Sequence, residues 1–107
     1  MEESTESMDN FEQVTTAPVN DKYVLQLYIA GLTPRSQRAV FNIRKICKES
    51  LENVYELQVI DIFQQPLLAK SEQIVAVPTL IRKFPTPQRL FIGDMSDTLT
   101  ILANLIS

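Results

Sequence analysis

Four consecutive residues, Thr33-Pro34-Arg35-Ser36, raise the first chemical question. They follow the apolar run that ends in Ala30-Gly31-Leu32 and open an amphipathic segment, which puts them at a helix N-terminus. Free backbone N–H groups there favour negative charge, so cysteines at the first and fourth positions would form a reactive dithiol. Here both positions carry hydroxyls. A hydroxyl can donate to a thiolate brought by a substrate, but it cannot cycle through a disulfide. Further along, Val77-Pro78-Thr79 opens another strand-like segment with a proline.

The remaining composition narrows the chemistry further. Cys47 is the only cysteine and histidine is absent, which excludes an internal disulfide framework and removes the commonest metal ligand and general base. Neither a metal nor a cofactor is expected. A chain of 107 residues, 45% hydrophobic, can bury one core. No apolar run approaches the roughly 18 residues of a spanning helix, and no basic stretch leads into an apolar one at the N-terminus. The expected compartment is the cytoplasm, away from membranes.

The net charge of -3 conceals an asymmetry. Glu2, Glu3, Glu6, Asp9 and Glu12 give residues 1–20 a charge of -5 with no basic residue. Residues 21–107 hold ten basic and eight acidic residues, or +2. The first segment is polar, rich in Ser and Thr and almost aperiodic, so it is expected to be a disordered acidic tail. It is either a solvated leader or a shield for the basic face of a domain at 21–107. That domain is only slightly basic and lacks an aromatic–basic motif, which argues against a nucleic-acid partner.

The elements that must position these residues can be read in order. Tyr23–Ile29 is almost continuously apolar, as a central strand buried on both faces should be. Thr33 is a suitable N-cap and Pro34 suits the first helical turn. Over 34–50, Ala39, Ile43, Ile46, Cys47 and Leu51 recur at three- and four-residue spacing, one helix face. Residues 54–62 alternate, a strand with one wetter face. Pro66 starts a short helical stretch with Leu67, Leu68, Ala69 and Ile74. Thr79–Phe84 and Arg89–Ile92 form a hairpin around Pro85-Thr86-Pro87-Gln88. Gly93 and Asp94 end it and lead into a last helix with Leu99, Leu102, Leu105 and Ile106 as its apolar face, Met95 stapling against Leu99. The predicted order βαβαββα, with a parallel crossover and an antiparallel hairpin, is an α/β, thioredoxin-like domain with a mixed four-stranded sheet. In such a fold Pro78 is expected to be cis and structural.

Read residue by residue, Tyr23 to Gly31, Thr33-Pro34, Ser36, Arg38-Ala39, Val54-Tyr55, Val59-Ile60-Asp61, Pro66, Leu68-Ala69, Pro78-Thr79-Leu80, Pro85, Pro87, Arg89, Ile92-Gly93-Asp94 and Ser96 resemble the KaiB family of circadian clock proteins. The likeness runs over about residues 22–105 without a gap. It implies a noncatalytic regulator that binds the hexameric RecA-like ATPase KaiC in clock or stress signalling. It also implies KaiA or a sensor histidine kinase as further partners, and a homo-oligomer, dimer or tetramer. Two folds are implied as well: a ground state ordered βαββααβ and the thioredoxin-like form that docks on the ATPase. The chain departs from the family in its acidic leader, in lacking an acidic C-terminal tail, and in carrying Asn104 and Ile106 where clock members place Gly and Asp. Both replacements favour a terminal helix.

Several residues have two readings. Lys22, Arg35, Arg38, Arg82, Lys83 and Arg89 read by themselves as solvated surface. The resemblance turns Arg38 and Arg89 toward a partner, and the implied partner surface comprises Lys22, Gly31, Thr33, Pro34, Arg35, Arg38, Arg82 and Arg89. Gly31 allows a positive-φ turn, Asp61 caps a turn or touches a partner, and Cys47 is a buried inert thiol. The competing function is a glutathione-binding thioredoxin-superfamily enzyme in which Ser36 or Thr33 stabilises a thiolate.

Overall fold

The computed structural model describes residues 22–52 and 54–106. The acidic segment 1–20 lies outside the described residues. The chain forms β1 (Tyr23–Ile29), α1 (Pro34–Ile46), a π-helical turn (Cys47–Leu51), β2 (Tyr55–Asp61), α2 (Pro66–Ser71), β3 (Thr79–Phe84), β4 (Arg89–Ile92) and α3 (Thr98–Leu105). This is the βαβαββα order; the alternative order βαββααβ is not the one adopted here.

The sheet runs β2-β1-β3-β4, with β1 parallel to β2 and antiparallel to β3, and β3 antiparallel to β4. The central place of β1 explains its apolar run. Leu25, Leu27 and Ile29 face the layer made by α1 and α3, while Tyr28 joins Ile60, Ala69 and Ile81 beneath α2. Leu25, Leu27 and Leu80 are fully buried, each contributing roughly 1.5–3 kcal/mol through removal from water. All five residues of the predicted α1 face, Ala39, Ile43, Ile46, Cys47 and Leu51, are in this core.

The register fixes which ends lie together. Tyr28 pairs with Thr79, and Thr79 with Ile92, so the C-terminal end of β1, the start of β3 and the end of β4 share one rim of the sheet. Lys22 precedes β1 and lies at the opposite end.

The last helix corrects the expected apolar face. Ile101 and Leu105 are buried, with Leu102 packed against them, whereas Leu99 is exposed. Ile106 falls outside the helix as its C-cap and is 52% exposed. Thr98, Ile101, Leu102 and Leu105, at i, i+3, i+4 and i+7, make the inner face, which turns Leu99 to solvent. Met95 does not staple on Leu99 but enters the core, 2% exposed, from a loop position with φ of 65°.

Candidate functional site

The rim is assembled from the β1–α1 turn, the β2–α2 turn, the entry to β3 and the β4–α3 turn. Thr33 Oγ1 accepts a hydrogen bond from the Ser36 N–H at 3.2 Å, the N-cap that the sequence predicts. The Thr33 hydroxyl also donates to Ser36 Oγ at 2.9 Å, and Ser36 Oγ accepts from the Ala30 N–H at 3.1 Å. Ser36 is 1% exposed. The hydroxyl pair therefore ties the strand end to the helix start, and Ser36 is not presented to an incoming thiol.

Gly31 has a φ of 61°, the left-handed region in which a side chain is strained, and Phe63 lies beside it. Asp61 caps turns. Its Oδ1 accepts from the Gly31 N–H at 3.2 Å and from the Phe63 N–H at 2.9 Å, joining the turns after β1 and β2. The Val77–Pro78 peptide is cis, as expected, and the Pro78 carbonyl accepts from the Gly93 N–H at 2.9 Å. Pro78 and Gly93 thus join the start of β3 to the turn after β4.

Arg38 and Asp94 connect α1 to that turn. Arg38 Nε lies 3.1 Å from Asp94 Oδ2, and the Asn42 side-chain amide donates to the Asp94 carbonyl at 2.9 Å. Hydrogen bonds from Ser96, then the Arg38 guanidinium, hold the Asp94 carboxyl below the usual carboxylate range. Arg35 reaches the same turn, its guanidinium close to Gly93, and both border a shallow cavity of about 360 Å³ with Phe91, Asp97 and Ile101.

Of the residues assigned to a partner surface, Gly31, Thr33, Pro34, Arg35 and Arg38 share this rim with Pro78, Gly93 and Asp94. Lys22 lies at the other end of the sheet, and Arg89, the first residue of β4, is at the opposite end of that strand from Gly93. Arg82 corrects the expectation of a surface cation. It is 1% exposed, donating from Nη1 to the Leu105 carbonyl and from Nη2 to the Pro87 carbonyl, both at 2.8 Å. The chain uses it to close the C-terminal end of α3 onto β3, where a cation meets unpaired carbonyls. Leu80 and Phe84, two residues to either side and so on the same face of β3, were the available sign that this arginine points inward. Asn42 carried no such sign, because its partner is a backbone carbonyl from a distant turn.

Cys47 is buried, and burial pushes its thiol up to about 11. No cluster of three or more His, Cys, Asp or Glu residues exists among the described residues, and none of their helices is long and apolar enough to cross a membrane.

A thioredoxin-like sheet whose active-site turn is closed by hydroxyls and whose one thiol is remote and buried defines a redox-fold domain without dithiol chemistry. Solved structures agree on the fold. The N-terminal domain of SasA from Synechococcus elongatus is similar, with a TM-score of 0.68 and 26% identity over 96% of this chain and 92% of that one. The Drosophila melanogaster thioredoxin Deadhead has a TM-score of 0.65 at 14% identity, covering 83% and 85% of the two chains, which speaks to fold alone. The KaiB domain model matches residues 26–105, and the chain belongs to the KaiB family. Among curated relatives, the circadian clock protein KaiB3 of Synechocystis is 45% identical over 79% of this chain and 83% of its own. The circadian clock oscillator protein KaiB of Trichodesmium erythraeum is 43% identical over 83% and 86%.

Proposed function

We propose that this chain is a noncatalytic clock-type regulator that docks on a KaiC-type hexameric ATPase through the rim at residues 31–38 and the β4 strand leading to Arg89. The observation that carries the reading is the β1–α1 turn of a KaiB-family chain, rigidly built yet stripped of redox residues. Thr33, Ser36, Asp61 and Asp94 are all spent on holding the turns in place, which suits a preorganised binding edge. Arg35 and Arg38 remain exposed on that edge, Arg38 paired with Asp94. Cations at a rim steer association with an acidic surface and set register more than affinity. The likeness of the fold to the SasA N-terminal domain supports a docking mode shared with that domain, and KaiA or a sensor histidine kinase, the further partners implied by the family resemblance, belong to this reading. A cytoplasmic site of action and a homo-oligomeric resting state belong to this reading.

The test is a calorimetric titration of the full chain against a KaiC-type ATPase. Reversal of Arg38 and Arg89 to Glu abolishes binding while circular dichroism retains the folded signature. A folded double variant that binds as tightly as the parent protein sinks the interface. Titration with glutathione separates the competing reading: saturable binding lost in Ser36→Ala would support the enzyme instead.

A further inference from the structure

The outer side of α1 carries a groove that meets the rim at Gly31 and Ser36 and runs from there along the helix. It has a volume of about 570 Å³, with Ile29, Leu32, Val40 and Phe41 forming its apolar floor. Leu32 and Phe41 are 82% and 67% exposed. Arg44, Lys45 and Lys48 stand along it against a single carboxylate, Glu49. Such a surface fits an acidic segment with a few apolar anchors.

We propose that the groove is covered by this chain's own N-terminal segment, residues 1–20, acting as an intramolecular acidic strap. Three observations select that occupant. The first is charge: the segment carries five carboxylates and no cation, against three cations beside the groove. The second is its sparse apolar content, Met8, Phe11 and Val14 among polar neighbours, which supplies anchors for Leu32 and Phe41. The third is the exit point. The Tyr23 N–H bonds to the Val54 carbonyl, and the Val54 N–H bonds to the Leu51 carbonyl. The chain therefore leaves the domain beside the end of the π-helical turn, where Lys48 and Glu49 form the near end of the groove. From Pro34 to Glu49 the helix rises about 22 Å. The residues between Phe11 and Lys22 span up to about 36 Å when extended, enough to place Phe11 anywhere along it. A short tether raises the effective concentration to roughly millimolar, so a contact too weak between separate molecules is populated within one.

The experiment keeps the full chain. Ser7→Cys is labelled with a nitroxide, Cys47 being buried, and paramagnetic broadening of backbone amides is measured by NMR. Broadening concentrated on Val40, Phe41, Arg44 and Lys48 is expected, falling at least about threefold between roughly 0.05 M and 0.5 M salt. Phe11→Ser gives a comparable loss, as does Lys45→Glu with Lys48→Glu, circular dichroism confirming that each variant is folded. Broadening that is evenly spread, centred on β4, or undiminished in these variants overturns the strap. A mixture of labelled and isotope-enriched molecules completes the test: broadening passed between molecules would mean that a second copy covers the groove, and would also overturn it.

Discussion

Arg38 on the second turn of α1 and Asp94 after β4 form an ion pair at 3.1 Å across 56 residues of sequence. It joins α1 to the turn between β4 and α3, and Asn42 of the same helix adds a second bond to that turn. Because the carboxyl is held below its ordinary range, it is bound more tightly as the anion in the folded state than in the unfolded one. Its contribution is present above the usual carboxylate range, about pH 4, and is lost as pH falls through the depressed folded value. Urea denaturation of the parent protein and Asp94→Asn should therefore differ at pH 6, and the gap should close progressively below about pH 4. An equal gap at both pH values would assign the difference to something other than this carboxylate.

Arg82 and Leu105 make the strongest stability prediction. Arg82→Met keeps most of the packed stem but leaves the Leu105 and Pro87 carbonyls without the guanidinium. Leaving a buried acceptor unpaired costs about 1–3 kcal/mol. A total loss of about 3 kcal/mol is expected, with hydrogen exchange rising first in α3. Wild-type stability in this variant would show that the buried cation adds nothing net, as some buried ionic groups do.

The Thr33 cap can be tested on its own. Thr33→Ala removes both the acceptor for the Ser36 N–H and the contact with Ser36 Oγ, and should destabilise by about 1 kcal/mol. Thr33→Ser should restore most of it, because the hydroxyl remains. Equal loss in both variants would point to packing of the methyl group instead.

Cys47 should be silent at neutral pH. With its thiol raised to about 11 and fully buried, iodoacetamide should modify it only once the protein is unfolded. No insulin-reducing activity is expected with dithiothreitol as the electron source. Activity that disappears in Cys47→Ser would make this thiol functional.

The second fold that the KaiB resemblance implies can be tested at the end of α3. Ile106 is an exposed C-cap, so Ile106→Asp does not bury a carboxylate. Its cost is the unfavourable placement of an anion at a helix C-terminus, about 0.3–1 kcal/mol. Asn104 lies within α3, its amide donating to the Thr100 carbonyl, and Asn104→Gly should cost up to about 1 kcal/mol. The pair together should weaken α3 by about 1–2 kcal/mol without abolishing it. NMR secondary shifts over 98–105 check this, and a switch to strand values in the double variant would show that the two folds are nearly balanced.

Much of the architecture was legible because it depends on local pattern. The two-faced apolar run of β1, the spacing from Ala39 to Leu51 and the proline-bounded hairpin each bury or turn residues by their own periodicity. The cap at Thr33 was readable for the same reason, since it closes within three residues. The phase of α3 was not: Leu99 and Ile101 can each join Leu102 and Leu105 on an apolar face, and only packing in the core turns Ile101 inward and Leu99 outward. Arg82 was misread because a charge is assigned to the surface until a buried acceptor is found, and its acceptors are carbonyls 5 and 23 residues away. The sequence by itself determined the family, the element order and the loss of redox residues, all properties of residue type along the chain. Only the tertiary structure decided which cations share the rim and that Asp61 and Asp94 clamp turns, because Asp61 meets Gly31 only once β2 lies beside β1, and Asp94 meets Arg38 only once β3 and β4 have folded back.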